Sequence, residues 1–321
     1  MDNNALIEGI KKGDTRALSK AITLVESKNI IHQKQADKLI DEIYPFTGGS
    51  IRIGITGPPG VGKSTLIDKL GKLIAGEGKK LAILAIDPSS QISKGSILGD
   101  KIRMTSLTPL ANVFIRPSAT SSSLGGVTFN TREAILLCEA AGYEIVIVET
   151  VGVGQSEVNI TNMVDIVVLI QIPGAGDELQ GIKKGIIEVA DIIAINKAEE
   201  NNLERAESSK TAILQATSII RQKHRGWQTP VLLTSANNNT GVEILLACVY
   251  KFYNFLIDNN HFYSNRRRQD IKWLDDIIDT KLKELFFNNK NIKEMYSALK
   301  KDIGEGNIYP KTAGRKLFEY F

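Results

Sequence analysis

The sequence predicts an α/β fold with a mostly parallel central sheet flanked by helices, plus helical N- and C-terminal extensions. Three observations predict it. Between Ile51 and about Asp258, near-continuous apolar runs of strand length alternate with amphipathic helical patterns. Strands that are apolar throughout are buried on both faces, as in a parallel sheet covered by helices. Before Ile51 and after Asn259 the pattern is helical only. The first strand, finally, runs into a glycine loop that opens a helix. The expected division is a helical N-terminal extension at 1–48, a central α/β domain at 49–259 and a helical C-terminal arm at 260–321.

The N-terminal extension reads as helices because Ala5, Leu6, Ile7 and Ile10, then Ala17, Leu18, Ile22 and Val25, recur at helical spacing. Asp14-Thr15 offers an N-cap between them, and Pro45 with Gly48-Gly49 closes the segment. Strands are expected at 52–56, 80–86, 112–116, 144–149, 166–171, 191–196 and 230–234, and helices at 65–75, 129–141, 178–189, 203–223 and 242–256. Ligand should bind beyond the carboxyl ends of such strands. In the arm, Trp273, Leu274, Ile277, Ile278, Leu282 and Leu285 make an apolar stripe. The arm is too thin for a core of its own and should pack on the main domain or on a second subunit.

Composition excludes several classes. With 42% hydrophobic and 24% charged residues and a net charge of +4, the chain reads as globular and gives no reason to invoke nucleic acid. The basic run Arg266-Arg267-Arg268 is followed by Asp270, Asp275 and Asp276, which suits a solvated helix face. The start shows no secretory or transit pattern, and no apolar run is long enough to span a membrane. Cys138 and Cys248 sit in apolar helical patterns and read as buried small hydrophobes, so a reduced, cytoplasmic setting is expected.

The glycine loop is Gly57-Pro58-Pro59-Gly60-Val61-Gly62-Lys63-Ser64-Thr65, between a strand and a helix. This is the context a phosphate-binding P-loop requires, so a P-loop NTPase is expected. Its glycines let backbone N–H groups turn inward around a β-phosphate, and the helix N-terminus adds partial positive charge. Lys63 can reach the β- and γ-phosphates, and the Ser64 hydroxyl can ligate Mg²⁺.

Strand 144–149 ends in Glu149-Thr150-Val151-Gly152. A carboxylate at that place can hold Mg²⁺, and the glycine N–H can meet a γ-phosphate, although the usual carboxylate is Asp. Asn196-Lys197-Ala198-Glu199 is close to the Asn-Lys-x-Asp motif whose carboxylate accepts from guanine N1–H and the 2-amino group. Glu199 is one methylene longer than Asp, so it makes that fork after a small loop shift or guanine selectivity is weakened. Thr234-Ser235-Ala236 matches the second base-contacting segment of GTPases, with a plain strand-to-loop turn as the alternative. Asp87 and Asp100 are candidates for the metal shell; they read equally well as a turn residue before Pro88 and as an N-cap.

These segments occur in order with Asp87-Pro88-Ser89-Ser90, Ser96–Met104, Arg116-Pro117-Ser118, Glu149–Glu157 and Pro173–Ile186. Together they resemble the MeaB/ArgK GTPases, G-protein chaperones of methylmalonyl-CoA mutase. The resemblance covers nearly the whole chain, including Gly13–Leu18 and Ile22–Ser27. It implies a homodimer with a central Ras-like GTPase domain and a C-terminal dimerisation arm. It also implies an adenosylcobalamin-dependent acyl-CoA mutase as partner, the cobalamin belonging to the mutase. GTP binding and hydrolysis would gate cofactor loading and protect the mutase. Carried over by motif, Lys63, Ser64, Asp87, Asp100 and Glu149 would form the phosphate and Mg²⁺ site, and Asn196, Lys197 and Glu199 would contact guanine. Gln180 and Lys183 lie on a segment that similar proteins use to couple nucleotide state to partner contact.

No Gln follows Gly152 directly, so Gln155 is the candidate for orienting the attacking water. Rival readings are a metal-insertion GTPase, a kinase of a basic amino-acid transport system, and a module in which nucleotide merely stabilises the fold. The first usually needs Cys/His ligands, whereas His32, His224 and His261 are scattered.

Overall fold

The computed structural model describes residues 3–87, 104, 106–119, 124–150, 160–174, 184–220 and 222–319. These fall into two compact units, Met1–Arg266 and Arg267–Phe321. Among the described residues the strands are β1 (Ile51–Thr56), β2 (Leu81–Asp87), β3 (Val113–Ala119), β4 (Ile145–Thr150), β5 (Ile166–Gln171), β6 (Ile192–Ile195) and β7 (Val231–Leu233). The helices are α1 (Asn3–Lys11), α2 (Thr15–Val25), α3 (Ile30–Ile43), α4 (Lys63–Gly76), α5 (Leu124–Ala140), α6 (Lys184–Val189), α7 (Leu203–Ile219) and α8 (Val242–Asp258). They are followed by α9 (His261–Asn288), α10 (Lys290–Gly304) and α11 (Pro310–Glu319).

The strands form one sheet in the order β3-β2-β4-β1-β5-β6-β7, and every pairing is parallel. All six residues of β4 and of β5 are buried, in keeping with the Ile/Val runs 145–148 and 166–168. One face of the sheet (Ile53, Ile55, Ile147, Val168) packs on α4 and α8 through Leu66, Leu70, Val249 and Phe252. On the other face Leu169, Ile193 and Ile195 pack on α6 and α7 through Ile186, Ile187 and Ile213. Helix α5 packs on β2 and β4 and also contacts α1, α2 and α3. Parallel pairing places every strand's carboxyl end on one edge.

The N-terminal helices are part of the first unit. Asp14 caps α2 by accepting from Arg16 N at 2.7 Å, and Leu18, Ile22, Leu39 and Ile43 are fully buried. Arg116 of β3 donates to Glu26 Oε2 at 2.5 Å, joining two segments that the family resemblance had singled out. Glu133 on α5 has its carboxyl pushed up to about 7, first by burial and then by the negative charge of Asp37 on α3. A folded value above the ordinary 4.5 means the protonated form suits the fold. The strain is absent below about pH 4.5 and grows as pH rises through 7, reaching roughly 3 kcal/mol at about 1.4 kcal/mol per pH unit. Glu133→Gln is therefore expected to raise the melting temperature at pH 8.5 and to change it little at pH 5. Equal effects at the two pH values would refute this.

The opposite, amino-terminal edge of the sheet holds a buried ion network. Arg52 of β1 donates to Glu139 through Nε (2.9 Å) and Nη2 (2.8 Å), and Ser50 Oγ and Gly48 N donate to the same carboxylate. Arg266, in the first turns of α9, donates to Asp165 at 2.8 and 2.7 Å and to the carbonyls of Gly48 and Ser50. Burial alone would raise the Glu139 pKa. Hydrogen bonds from Arg52, the charges of Arg52 and Arg266 and the Ser50 hydroxyl outweigh it and hold the carboxyl below its ordinary range.

Three expectations need correction. Arg266, expected on a solvated helix face, is buried because Asp165 and the carbonyls of Gly48 and Ser50 take up its guanidinium. The helix expected to reach residue 223 ends at Ile219 because the chain turns back on Asp191: Lys223 Nζ donates to its carboxylate at 2.9 and 3.0 Å, and Trp227 Nε1 donates to its carbonyl. Cys138 is buried as expected, but Cys248 is only partly buried. In the second unit Asn289 caps α10, and Ile292, Ala313 and Leu317 are buried. Ile271, Leu274, Ile278, Leu282 and Leu285 stay exposed at three- and four-residue spacing along α9. Among the described residues no helix is long and apolar enough to cross a membrane.

Candidate functional site

The expected site residues that the structure describes meet on the carboxyl edge of the sheet. β1 ends at Thr56, and Gly57 turns the chain out of the sheet with φ 149°. A Cβ there would lie 2.2 Å from the Ile170 carbonyl oxygen of β5, so only glycine lets the loop pass. Pro58, Pro59 and Gly60 form an exposed rim, whereas Val61 is buried. Gly62, with φ 90°, is the N-cap of α4, and a Cβ there would come 2.6 Å from Asn196 Nδ2. At Gly57 and Gly62 the loop thus leaves no room for a Cβ.

Helix α4 opens with Lys63, Ser64 and Thr65, whose N–H groups precede the first intrahelical bond, Leu66 N to Gly62 O at 2.9 Å. Lys63 is buried, and its ammonium donates to the carbonyls of Gly57 (2.9 Å) and Pro58 (3.0 Å). A fixed cation beside a helix N-terminus favours an anion.

Glu149 pairs in register with Ile55 of β1 and Ala85 of β2, in the middle of the sheet. Its Oε1 accepts from Ser64 Oγ at 2.8 Å. An alcohol and a carboxylate oxygen, side by side next to a phosphate-type loop, are the hard oxygen donors Mg²⁺ takes from a protein, with phosphates and water completing its shell. The pair fits that ion. Among the described residues no group of three His, Cys, Asp or Glu could hold a metal by itself. The backbone of Asp87 ends β2 at the same edge, one position past Ile86, the partner of Thr150. The Asp87 side chain, Asp100, Gly152, Gln155, Gln180 and Lys183 lie outside the described residues.

Asn196 follows β6 and is buried. Its Nδ2 donates to Val61 O at 2.8 Å, and its Oδ1 accepts from Ala236 N at 3.1 Å. The amide ties the glycine loop to the loop after β7. Lys197 then adopts φ 62°, a left-handed conformation rare for a non-glycine residue, and Ala198 N donates to Thr234 O at 3.0 Å. Glu199 Oε1 accepts from Ser235 Oγ at 2.8 Å. The segments 196–199 and 234–236 therefore form one wall.

Sequence reasoning missed the hydroxyls of Thr56 and Thr150. They lie on neighbouring strands one position past the Ile55–Glu149 pair, and both are buried with no hydrogen-bond partner among the described residues. Such atoms mark a place where a further polar group belongs. A buried hydroxyl in an apolar strand has no sequence signal beyond its position before Gly57 or Val151.

Comparison with known proteins identifies the family and the fold. The profile of the family described as Methylmalonyl Co-A mutase-associated GTPase MeaB matches residues 18–291. The chain is 40% identical over 314 residues to GTPase ArgK of Escherichia coli, covering 98% of this chain and 95% of that protein. It is 37% identical over 329 residues to the Methylmalonic aciduria type A homolog, mitochondrial, of Mus musculus, covering 98% and 79%. A crystal structure described as LAO/AO transport system kinase matches with a TM-score of 0.79 and 34% identity, covering 99% of this chain and 97% of that one.

Proposed function

The chain belongs to the MeaB family and is a GTPase, and from that premise we propose that it is the Mg²⁺-dependent chaperone of an adenosylcobalamin-dependent acyl-CoA mutase. The observation that carries the nucleotide chemistry is the Ser64–Glu149 pair beside Lys63 and the glycine loop. The name of the mouse relative, which refers to methylmalonic aciduria, and the family description support the mutase as partner.

GTP reacts with water to give GDP and phosphate, with little covalent chemistry for the protein to perform. Lys63 and the backbone N–H groups of 60–65 would hold the β- and γ-phosphates and neutralise charge as the bond breaks. Ser64 and Glu149, with Asp87 and Asp100, would hold Mg²⁺, which supplies further charge neutralisation when bound. Gly152 would donate to the γ-phosphate and Gln155 would orient water. Asn196, Lys197, Glu199, Ser235 and Ala236 would enclose guanine. Gln180 and Lys183 would couple the bound nucleotide to the partner, gating cofactor loading and protecting the mutase in the cytoplasm. The exposed stripe of α9 supports pairing of the 260–321 arm with a second copy.

The test is a pull-down from the native source with the protein loaded with a non-hydrolysable GTP analogue or with GDP. A cobalamin-dependent mutase recovered in a nucleotide-dependent manner is expected. Recovery of a nickel enzyme or a transport component instead would overturn the proposal.

A further inference from the structure

Asp68 lies one helical turn beyond Ser64 on α4, so the two residues share a face of the helix. Helical side chains lean toward the N-terminus, which carries the Asp68 side chain toward the turn that holds Ser64. Asp68 is 8% exposed, a depth that acidic side chains reach only when they are paired. Its Oδ2 accepts from Ser106 Oγ at 2.5 Å, but its Oδ1 is buried with no hydrogen-bond partner among the described residues.

The surroundings of this carboxylate are apolar and fixed. Met104 and Leu107, which flank Ser106 in sequence, are fully buried, and Leu107 N donates to Met104 O at 3.2 Å. Leu107 lies against Gly71 of α4, where a Cβ would come 2.7 Å from the leucine Cδ1. Gly71 is three residues past Asp68, so the 104–107 turn is seated on the same helix face and directs the Ser106 hydroxyl at Oδ2. An ionised carboxylate has about four acceptor sites, and one contact leaves it far short of satisfied. Burying a charge on those terms is costly until a further partner arrives.

We propose that Asp68 is a positioning carboxylate for Mg²⁺: Oδ1 accepts from water in the ion's shell while Ser106 holds the side chain in place. The inference rests on the Mg²⁺ reading above and deepens it. Mg²⁺ gives up its waters reluctantly and takes few oxygens directly from a protein, so acceptors one layer out decide how firmly its shell is seated. Asp68 adds negative charge in that layer without replacing Ser64 or Glu149.

The parent, Asp68→Asn and Ser106→Ala test it. Release of a fluorescent GDP analogue is followed while Mg²⁺ is titrated, and GDP affinity is measured separately in EDTA. Asparagine keeps the shape and an oxygen for Ser106 but removes the charge, and is expected to raise the half-saturating Mg²⁺ concentration by about 10- to 100-fold. Ser106→Ala keeps the charge and loses the anchor, and is expected to raise it by about 3- to 10-fold. In EDTA both variants should bind GDP within about 3-fold of the parent, because the phosphate and base contacts are untouched. A merely structural role would instead weaken GDP binding equally with and without Mg²⁺. Such a parallel loss, a shift under about 2-fold for either variant, or a larger shift for Ser106→Ala than for Asp68→Asn overturns the proposal. A parent whose GDP release does not respond to Mg²⁺ would overturn the Mg²⁺-site reading itself.

Discussion

Replacing Lys63 with alanine is expected to lower single-turnover GTP hydrolysis by about 10²- to 10³-fold, the range seen when one preorganised charge-stabilising donor is removed. The lysine is buried and fixed by the carbonyls of Gly57 and Pro58, so its charge is in place without reorganisation. Alanine is a good helix former, so the start of α4 should persist. Unfolding should therefore change far less than turnover, and circular dichroism with denaturant titration separates the two. Hydrolysis within about threefold of the parent would show that the charge acts elsewhere.

The second large effect is on stability. Arg266→Met is expected to destabilise the first unit by roughly 3–5 kcal/mol, because it leaves a buried acidic group without its cation. Asp165 loses both guanidinium contacts and keeps the Arg52 N–H, whereas Glu139 still has Arg52, Ser50 and the Gly48 N–H. Adding Asp165→Asn should recover part of the loss, since an amide is cheaper to bury than an unpaired charge. The pH dependence follows from Glu139, whose folded pKa lies below the ordinary 4.5. Its contribution is present above about pH 4.5 and is lost as pH falls through the lower folded value. Urea midpoints of the two variants and the parent at pH 7 decide the matter. A shift of less than about 1 kcal/mol for Arg266→Met would mean that water replaces the guanidinium without penalty.

Much of the fold was legible because its signals are local. Apolar runs such as Ile145–Thr150 and Ile166–Gln171 are strands whatever surrounds them, and each lies within about a residue of its expected span. The glycine loop was legible for the same reason, as one strand–loop–helix unit carries its whole chemistry in a few consecutive residues. Helix ends were less legible. Nothing in the periodicity of 203–223 states that Lys223 is drawn to Asp191, so the break after Ile219 was missed. The arm shows a related limit. Its apolar residues are plain in the sequence, yet Arg266, in a run that read as solvated, proved to be a buried member of the first unit.

The family, the glycine loop and the candidate side chains for a metal and a base could be read from residue order alone, because each depends on short spacings. Only the folded sheet decided which of them meet. Strand order and register bring Ser64 to Glu149, 85 residues further along the chain, and Asn196 to Val61, 135 residues back. The same order sets Ser235 against Glu199 and gathers Arg266, Asp165, Glu139 and Arg52 at the far edge. Hydrophobic pattern encodes which faces are buried but not which strand lies beside which, and these polar contacts exist only once that choice has been made.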